Sequence, residues 1–177
     1  GAPWTHERAY SNRLPFDYDY GLGNNHLVSS WGHLKNKPTQ NEIVYIADTG
    51  ESIWFDDDAG SYTARHGAHH TLTHDSVNDV FILTTHDGQE LRFHDFDQTT
   101  NPQGLIKSAA SPGGLVTSVT SYTSDDRIAE FQRSYTAGGS TTTESFNYTH
   151  FTSGDHDGRV QYVTLRRKVD ASDLVQQ

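Results

Sequence analysis

The sequence predicts an all-β protein: antiparallel hairpins forming a twisted sheet, sandwich or open ribbon, with little or no helix. Three observations carry this. First, one pattern is written twice between Ile43 and Phe93. An apolar run (Ile43-Val-Tyr-Ile46; Val80-Phe-Ile-Leu83) meets a polar turn with Gly (Asp48-Thr-Gly50; Asp87-Gly88), then a return segment closes on Phe five residues after that Gly. Gly supplies the positive φ of tight hairpin turns, and Asp beside it caps the turn through its own backbone. Second, shorter runs follow at regular spacing, Leu115 to Tyr122, Ile128 to Tyr135, Thr143 to Phe151 and Val160 to Leu165, parted by Ser124-Asp-Asp126, Ala137-Gly-Gly-Ser140 and Ser153 to Gly158. Third, Ser, Thr and aromatic residues fill these runs, as pleated half-buried surfaces require.

A chain of 177 residues fits one domain, 1–177, long enough to bury a core without metal or disulfide staples. Its formal net charge of −10 argues against a nucleic-acid partner and against an anionic membrane surface, and Arg166-Arg167-Lys168 is the one basic cluster. Cysteine and methionine are absent, which removes disulfides, thiolate metal sites and cysteine nucleophiles. Avoidance of oxidisable sulfur suits an exported chain and equally suits a reducing cytosol. No apolar run approaches a membrane span, so no membrane insertion is expected, and without a charged-then-apolar leader the chain reads as a soluble fragment.

In order, residues 1–40 form an aromatic, irregular lead-in: Trp4, Tyr10, Phe16, Tyr18, Tyr20, Gly21-Leu-Gly23, then Trp31-Gly32. Such a segment lays anchors onto a sheet. Gly21-x-Gly23 lacks the strand–helix context and third glycine of a dinucleotide fingerprint. Residues 41–110 hold the two hairpin units, joined by Asp56-Asp-Asp-Ala-Gly60 and a histidine-rich piece, Arg65 to His74. The alternation of Leu91 and Phe93 with Glu90, Arg92 and His94 describes a strand with one wet face. Residues 111–168 carry the shorter strands; Ala129, Phe131 and Tyr135 share one face, as do Phe146 and Tyr148. The tail, 169–177, is expected to be helical or frayed.

The turn-plus-Phe pattern, the Gly60-Ser-Tyr62 and Gly104-Leu105 that follow its copies, and Asp126-Arg127-Ile128 and Gly158-Arg159-Val160, preceded by Tyr122 and Tyr148, together resemble the RHS/YD-repeat proteins. Arg8-Ala-Tyr10-Ser-Asn12-Arg13, with Gly21-x-Gly23 and Trp31, is similar to the aromatic segment introducing that repeat region. The likeness runs from about Arg8 to Arg167, with Thr49-Gly50 where Asp-Gly stands in the family and Asp126 in place of Gly. It implies a β-ribbon that, in complete members, spirals into a shell around a cargo domain of a secreted or surface protein, with residues 111–168 as YD-like strands. Asn101-Pro-Gln-Gly104-Leu105 is similar to the family's self-cleavage motif, but an amide replaces the cleaving carboxylate, and the segment reads as a turn.

Two candidate metal sites are legible. His66, His69, His70 and His74 have zinc-type side chains, although on an extended strand His70 and His74 lie about 13 Å apart at ~3.3 Å per residue, so a turn at Gly67 has to bring them together. Asp56, Asp57 and Asp58 offer oxygen ligands for calcium without completing a twelve-residue calcium loop. The bland readings are wet-face histidines and solvated acidic turns. Catalytic motifs are missing, and His-Asp neighbours such as His74-Asp75 and His94-Asp95 point to opposite faces of a strand. Trp4, Trp31 and Trp54 are candidates for a binding platform, weighed against the sheet core where aromatics more often sit.

The expectation is therefore a non-catalytic structural or interaction module, extracellular or on the cell surface, similar to the start of an RHS/YD-repeat shell and requiring no cofactor. Its partners would be downstream repeats or another protein chain. The first alternative is a module with a carbohydrate- or protein-binding surface, taking a surface glycan. The second is a metal-assisted hydrolase in which the histidine cluster converges with Asp95 or Asp97.

Overall fold

A computed structural model of the protein describes residues 6–10, 19, 22, 26–28, 31–47, 51–170 and 172–176. Trp4, the Asp48-Thr-Gly50 turn and the Gly21-x-Gly23 glycines lie outside the described residues. In the lead-in, β1 (Arg8–Tyr10) and β2 (His26–Val28) pair as a two-stranded ribbon. All else is one antiparallel sheet of thirteen strands. Its first seven are β3 (His33–Lys37), β4 (Glu42–Ile46), β5 (Ser52–Asp58), β6 (Ser61–Ala64), β7 (Thr71–Asp75), β8 (Val80–Thr84) and β9 (Glu90–His94). Six follow: β10 (Ile106–Ala110), β11 (Val116–Tyr122), β12 (Ile128–Ala137), β13 (Ser140–His150), β14 (Val160–Val169) and β15 (Ser172–Gln176). Spatial order equals chain order from β3 to β15, so each strand bonds to its neighbours in sequence. The described helical residues are confined to 3-10 turns at Pro38–Gln40, Arg65–Gly67 and Gly154–His156.

Both sequence repeats are hairpins in the expected register. Ile43 faces Phe55 and Tyr45 faces Ile53 across β4–β5; Phe81 faces Phe93 and Leu83 faces Leu91 across β8–β9. Opposed residues of an antiparallel pair share a face, so these pairs form one apolar ladder. It continues through Leu72, Ala109, Phe131, Phe146 and Tyr148 into a single buried cluster. Phe55, Phe93 and Phe131 are fully buried, each burial contributing on the order of 1.5–3 kcal/mol.

A shared turn explains the meander. Backbone N–H to O bonds close Thr85 to Gln89 (2.9 Å), Ser111 to Leu115 (2.9 Å) and Thr123 to Arg127 (2.7 Å). In each, the first residue's hydroxyl accepts the last residue's N–H, and the fourth residue is left-handed: Gly88 (φ 82°), Gly114 (φ 82°) and Asp126 (φ 61°). Asp tolerates this conformation better than most residues, which is why Asp126 stands where a repeat would carry Gly. Ala47 closes on Glu51 by the same bond, at 3.1 Å.

The two-residue turns Ala59-Gly60 and Gly138-Gly139 have positive φ at both positions, the form that matches strand twist. Ala59, at φ 52°, is strained there. Ala59→Asn is expected to raise stability by about 0.5–1 kcal/mol in urea unfolding. No gain would mean the left-handed strain is absent.

One expectation is corrected. Among its described residues the tail is not helical: residues 172–176 form β15, antiparallel to β14, with Val169 opposite Ser172. Asp170, left-handed at φ 52°, makes the reversal and binds Thr141 twice, accepting its N–H on Oδ1 and donating its own N–H to its carbonyl, both at 2.9 Å. The apolar residues Val169, Leu174 and Val175 do not recur at every second position, so no strand period marks this segment in the sequence.

Long-range contacts bend the ribbon. The N–H of Leu34 on β3 donates to the carbonyl of Gly104 (2.8 Å), whose own N–H donates to His94 (3.0 Å), so the first strand touches the segment leading into β10. Trp31 stacks on Phe131 with centroids 3.3 Å apart, and His6 lies 5.4 Å from Phe146 and 5.3 Å from Tyr148. The lead-in thus covers the apolar face of β12 and β13.

Arg127 makes a second junction. Its Nε donates to Asp19 at 2.8 Å and its Nη1 to Asp125 at 3.1 Å, while the guanidinium lies against Gly158, where a Cβ would come within 2.3 Å of it. Gly158→Ala, at φ +78°, is expected to lower stability by about 1–2 kcal/mol, read in a thermal melt. An unchanged melt would show that the contact is slack.

Candidate functional site

Bending of the ribbon carries the loop between β9 and β10, the edge strand β3 and the Thr123–Arg127 turn to one place. A cleft of about 660 Å³ opens there. Leu34, Phe96, Pro102 and Leu105 supply apolar surface; Asn36, Asp97, Gln98, Thr99, Gln103 and Asp126 supply polar groups. The loop wall is tied together by its own side chains. Asn101 Nδ2 donates to Gln98 Oε1 (3.0 Å), Gln103 Nε2 donates to the Gln98 carbonyl (2.9 Å), and the Leu105 N–H donates to the Pro102 carbonyl (3.3 Å). Lys35, also lining the cleft, is held below its usual pKa by partial burial and then by the charge of Lys37.

Buried histidines surround this junction. His33, 3 % exposed, has its pKa pushed down to about 3 by burial. His94, 5 % exposed, is pushed down to about 4, first by burial and then by Lys107. The Tyr122 hydroxyl donates to the Ile106 carbonyl (3.0 Å), so the bond between Tyr122 and His94 Nε2 (2.9 Å) has the imidazole as donor. That bond assigns the neutral ring its Nε2–H tautomer. Burial also raises the Tyr122 pKa and keeps its proton in place.

The candidate metal ligands separate. His74 Nε2 is 2.6 Å from Asp95 Oδ2, and its ring stacks on Phe81 at 4.6 Å. His70 faces His86 instead, with ring centroids 5.8 Å apart. His66 is exposed in a left-handed conformation (φ 57°) and His69 is exposed. Asp56 pairs with Arg65, which also reaches Glu42 at 2.6 Å, and Asp57 Oδ1 caps the next turn by accepting the Gly60 N–H at 2.8 Å. Asp58 is exposed at the end of β5. Among the described residues no group of three or more His, Asp or Glu is placed to hold one ion.

His74–Asp95 joins residues 21 apart in sequence, so the carboxylate beside His74 is not its neighbour Asp75 but one supplied by the fold. The pair is half of an acid–base relay. Among the described residues the imidazole's hydrogen bond goes to Asp95 alone, and no hydroxyl stands on it to be activated. Its geometry pins β7 to the loop after β9.

The aromatic candidates divide as well. Trp31 is buried against Phe131 and faces the core, not water. Trp54 is half-buried on the opposite face of β5, with Lys37 Nζ 4.2 Å from the ring centroid. The cleft residues Asn36 and Gln98 carried no sequence signal and Asp126 was legible only as part of a turn, because they come from a strand, a loop and a turn that only bending brings together. The nearest signal was Asn101-Pro102-Gln103-Gly104, legible as a turn but not as a wall. Comparison of the chain with protein-family models, with curated proteins and with solved structures found no match.

Proposed function

We propose that the chain is a non-catalytic structural and interaction module of a secreted or surface protein, similar to the opening of an RHS/YD-repeat sheet, onto which further strands assemble. The observation that carries this reading is the strand order: thirteen consecutive strands, each bonded to its chain neighbours, with one hydroxyl-capped turn recurring at three of the connections. A sheet built this way grows by repetition, since each added hairpin needs only the preceding edge. β15 is its last strand and pairs with β14 on one side. An edge of this kind presents backbone N–H and C=O groups to an incoming strand, from later repeats or from another copy of the chain.

The test combines sedimentation velocity from micromolar to millimolar concentration with hydrogen exchange at residues 172–176. Concentration-dependent association that protects the outward amides is expected, abolished by Asp173→Pro with Val175→Pro, since the Leu174 N–H faces Arg167 on β14. A monomer at every concentration with freely exchanging outward β15 amides counts against the assembly role. Turnover in a reducing-sugar or esterase screen, lost in Asp95→Asn, would replace it with the hydrolase reading.

A further inference from the structure

We propose that the cleft between β3 and the 96–103 loop binds a neutral oligosaccharide, a role independent of the strand edge. Its volume, about 660 Å³, lies within the range of small-molecule sites, roughly 300–1,000 Å³. The wall is preformed: Gln98 is held by Asn101 and Gln103, and the Asp97 N–H donates to Asp95 Oδ1 at 3.3 Å. Little ordering is then left to oppose binding.

The polar groups aimed at the opening are unspent. Among the described residues the side chains of Asn36, Asp97, Thr99 and Asp126 make no hydrogen bond within the protein, although all four line the cleft. An amide, a hydroxyl and carboxylates around an apolar floor suit vicinal hydroxyls above the C–H face of a sugar ring, with the partly exposed Phe96 as that floor.

Charge narrows the class. Asp19 and Asp125 are both engaged by Arg127, leaving Asp97 and Asp126 opposite Lys35. The lining is acidic: four carboxylates, Asp19, Asp97, Asp125 and Asp126, stand against Lys35, with Arg127 engaging two of the four. It repels polyanions, and the two carboxylates outside the Arg127 pairs are acceptors for sugar hydroxyls.

The experiment titrates the whole chain with cellohexaose, maltohexaose and N-acetylchitohexaose, with a galacturonic acid hexamer as anionic control, using calorimetry and amide chemical shifts. At least one neutral sugar is expected to bind, shifting resonances of residues 34–36, 96–103 and 125–126. Asp97→Asn combined with Asn36→Ala should weaken it by at least about tenfold, the value of one good polar contact. Thr136→Ala, in the outer Thr136–Thr141 pair at 3.1 Å, serves as the neutral control. The proposal is overturned if no neutral sugar binds, if shifts map elsewhere, if the anionic hexamer binds more tightly, or if a double variant with the parent's melting temperature binds equally well.

Discussion

Replacing Phe131 by Ala is expected to destabilise the fold by about 3–5 kcal/mol, the range for deleting a fully buried aromatic ring. Phe131 is 0 % exposed, faces Phe146 and Val119 across two strand pairs, and stacks on Trp31 with an interplanar angle of 17°. Its removal leaves a cavity where the lead-in meets the sheet, and both sides are held by backbone hydrogen bonding that resists collapse. Urea unfolding followed by tryptophan fluorescence reads both effects, because Trp31 loses its stacked partner. Phe131→Leu, which keeps apolar volume, should cost appreciably less. A loss below about 1 kcal/mol for Phe131→Ala would show that the site relaxes freely and that the lead-in is not packed as described.

Acid should weaken the fold well before its carboxylates titrate. Burial keeps three imidazoles neutral in the native state, His33 with its pKa near 3 and His6 and His94 near 4, against 6.5 in the unfolded chain. Above 6.5 neither state binds a proton at these sites, so their contribution is constant. Below it the unfolded chain takes up protons that the fold refuses, and stability falls until the native values are reached. At about pH 5 His33 and His94 each account for a loss of about 2 kcal/mol, from 1.36 kcal/mol per pH unit, together about 4 kcal/mol, and the less deeply buried His6 adds to that loss. Asp56, Asp75 and Asp87 are held below their usual 3.8 chiefly by hydrogen bonds to Arg65, Asn78 and Thr85, so their effect begins in a lower window. Urea midpoints between about pH 7.5 and 5 measure the slope. His94→Gln, which keeps a donor for Tyr122, should remove about a third of it. A flat profile would mean that all three rings reach solvent.

The repeated hairpins were legible because their signal is local. An apolar run, a turn whose fourth residue tolerates positive φ, and a Phe five residues past the Gly set both strand pairing and register, and Ile43–Phe55 and Phe81–Phe93 meet as the spacing requires. The histidine cluster shows the opposite case. Four histidines within nine residues suggested convergence, yet His74 found its carboxylate 21 residues away and His70 turned to His86. Neither partner is encoded by spacing along one strand.

By itself the sequence determined an all-β chain and the position of most of its turns, since each depends on neighbours a few residues apart, whereas the wet face read for His94 is corrected: it is buried. The tertiary structure decided that the tail is a strand, that Trp31 is core and not platform, and that Leu34 and Gly104 meet to open a cleft at Asp97 and Asp126. Those outcomes depend on how far a thirteen-strand sheet twists and bends, a quantity summed over every strand pair and written in no single segment.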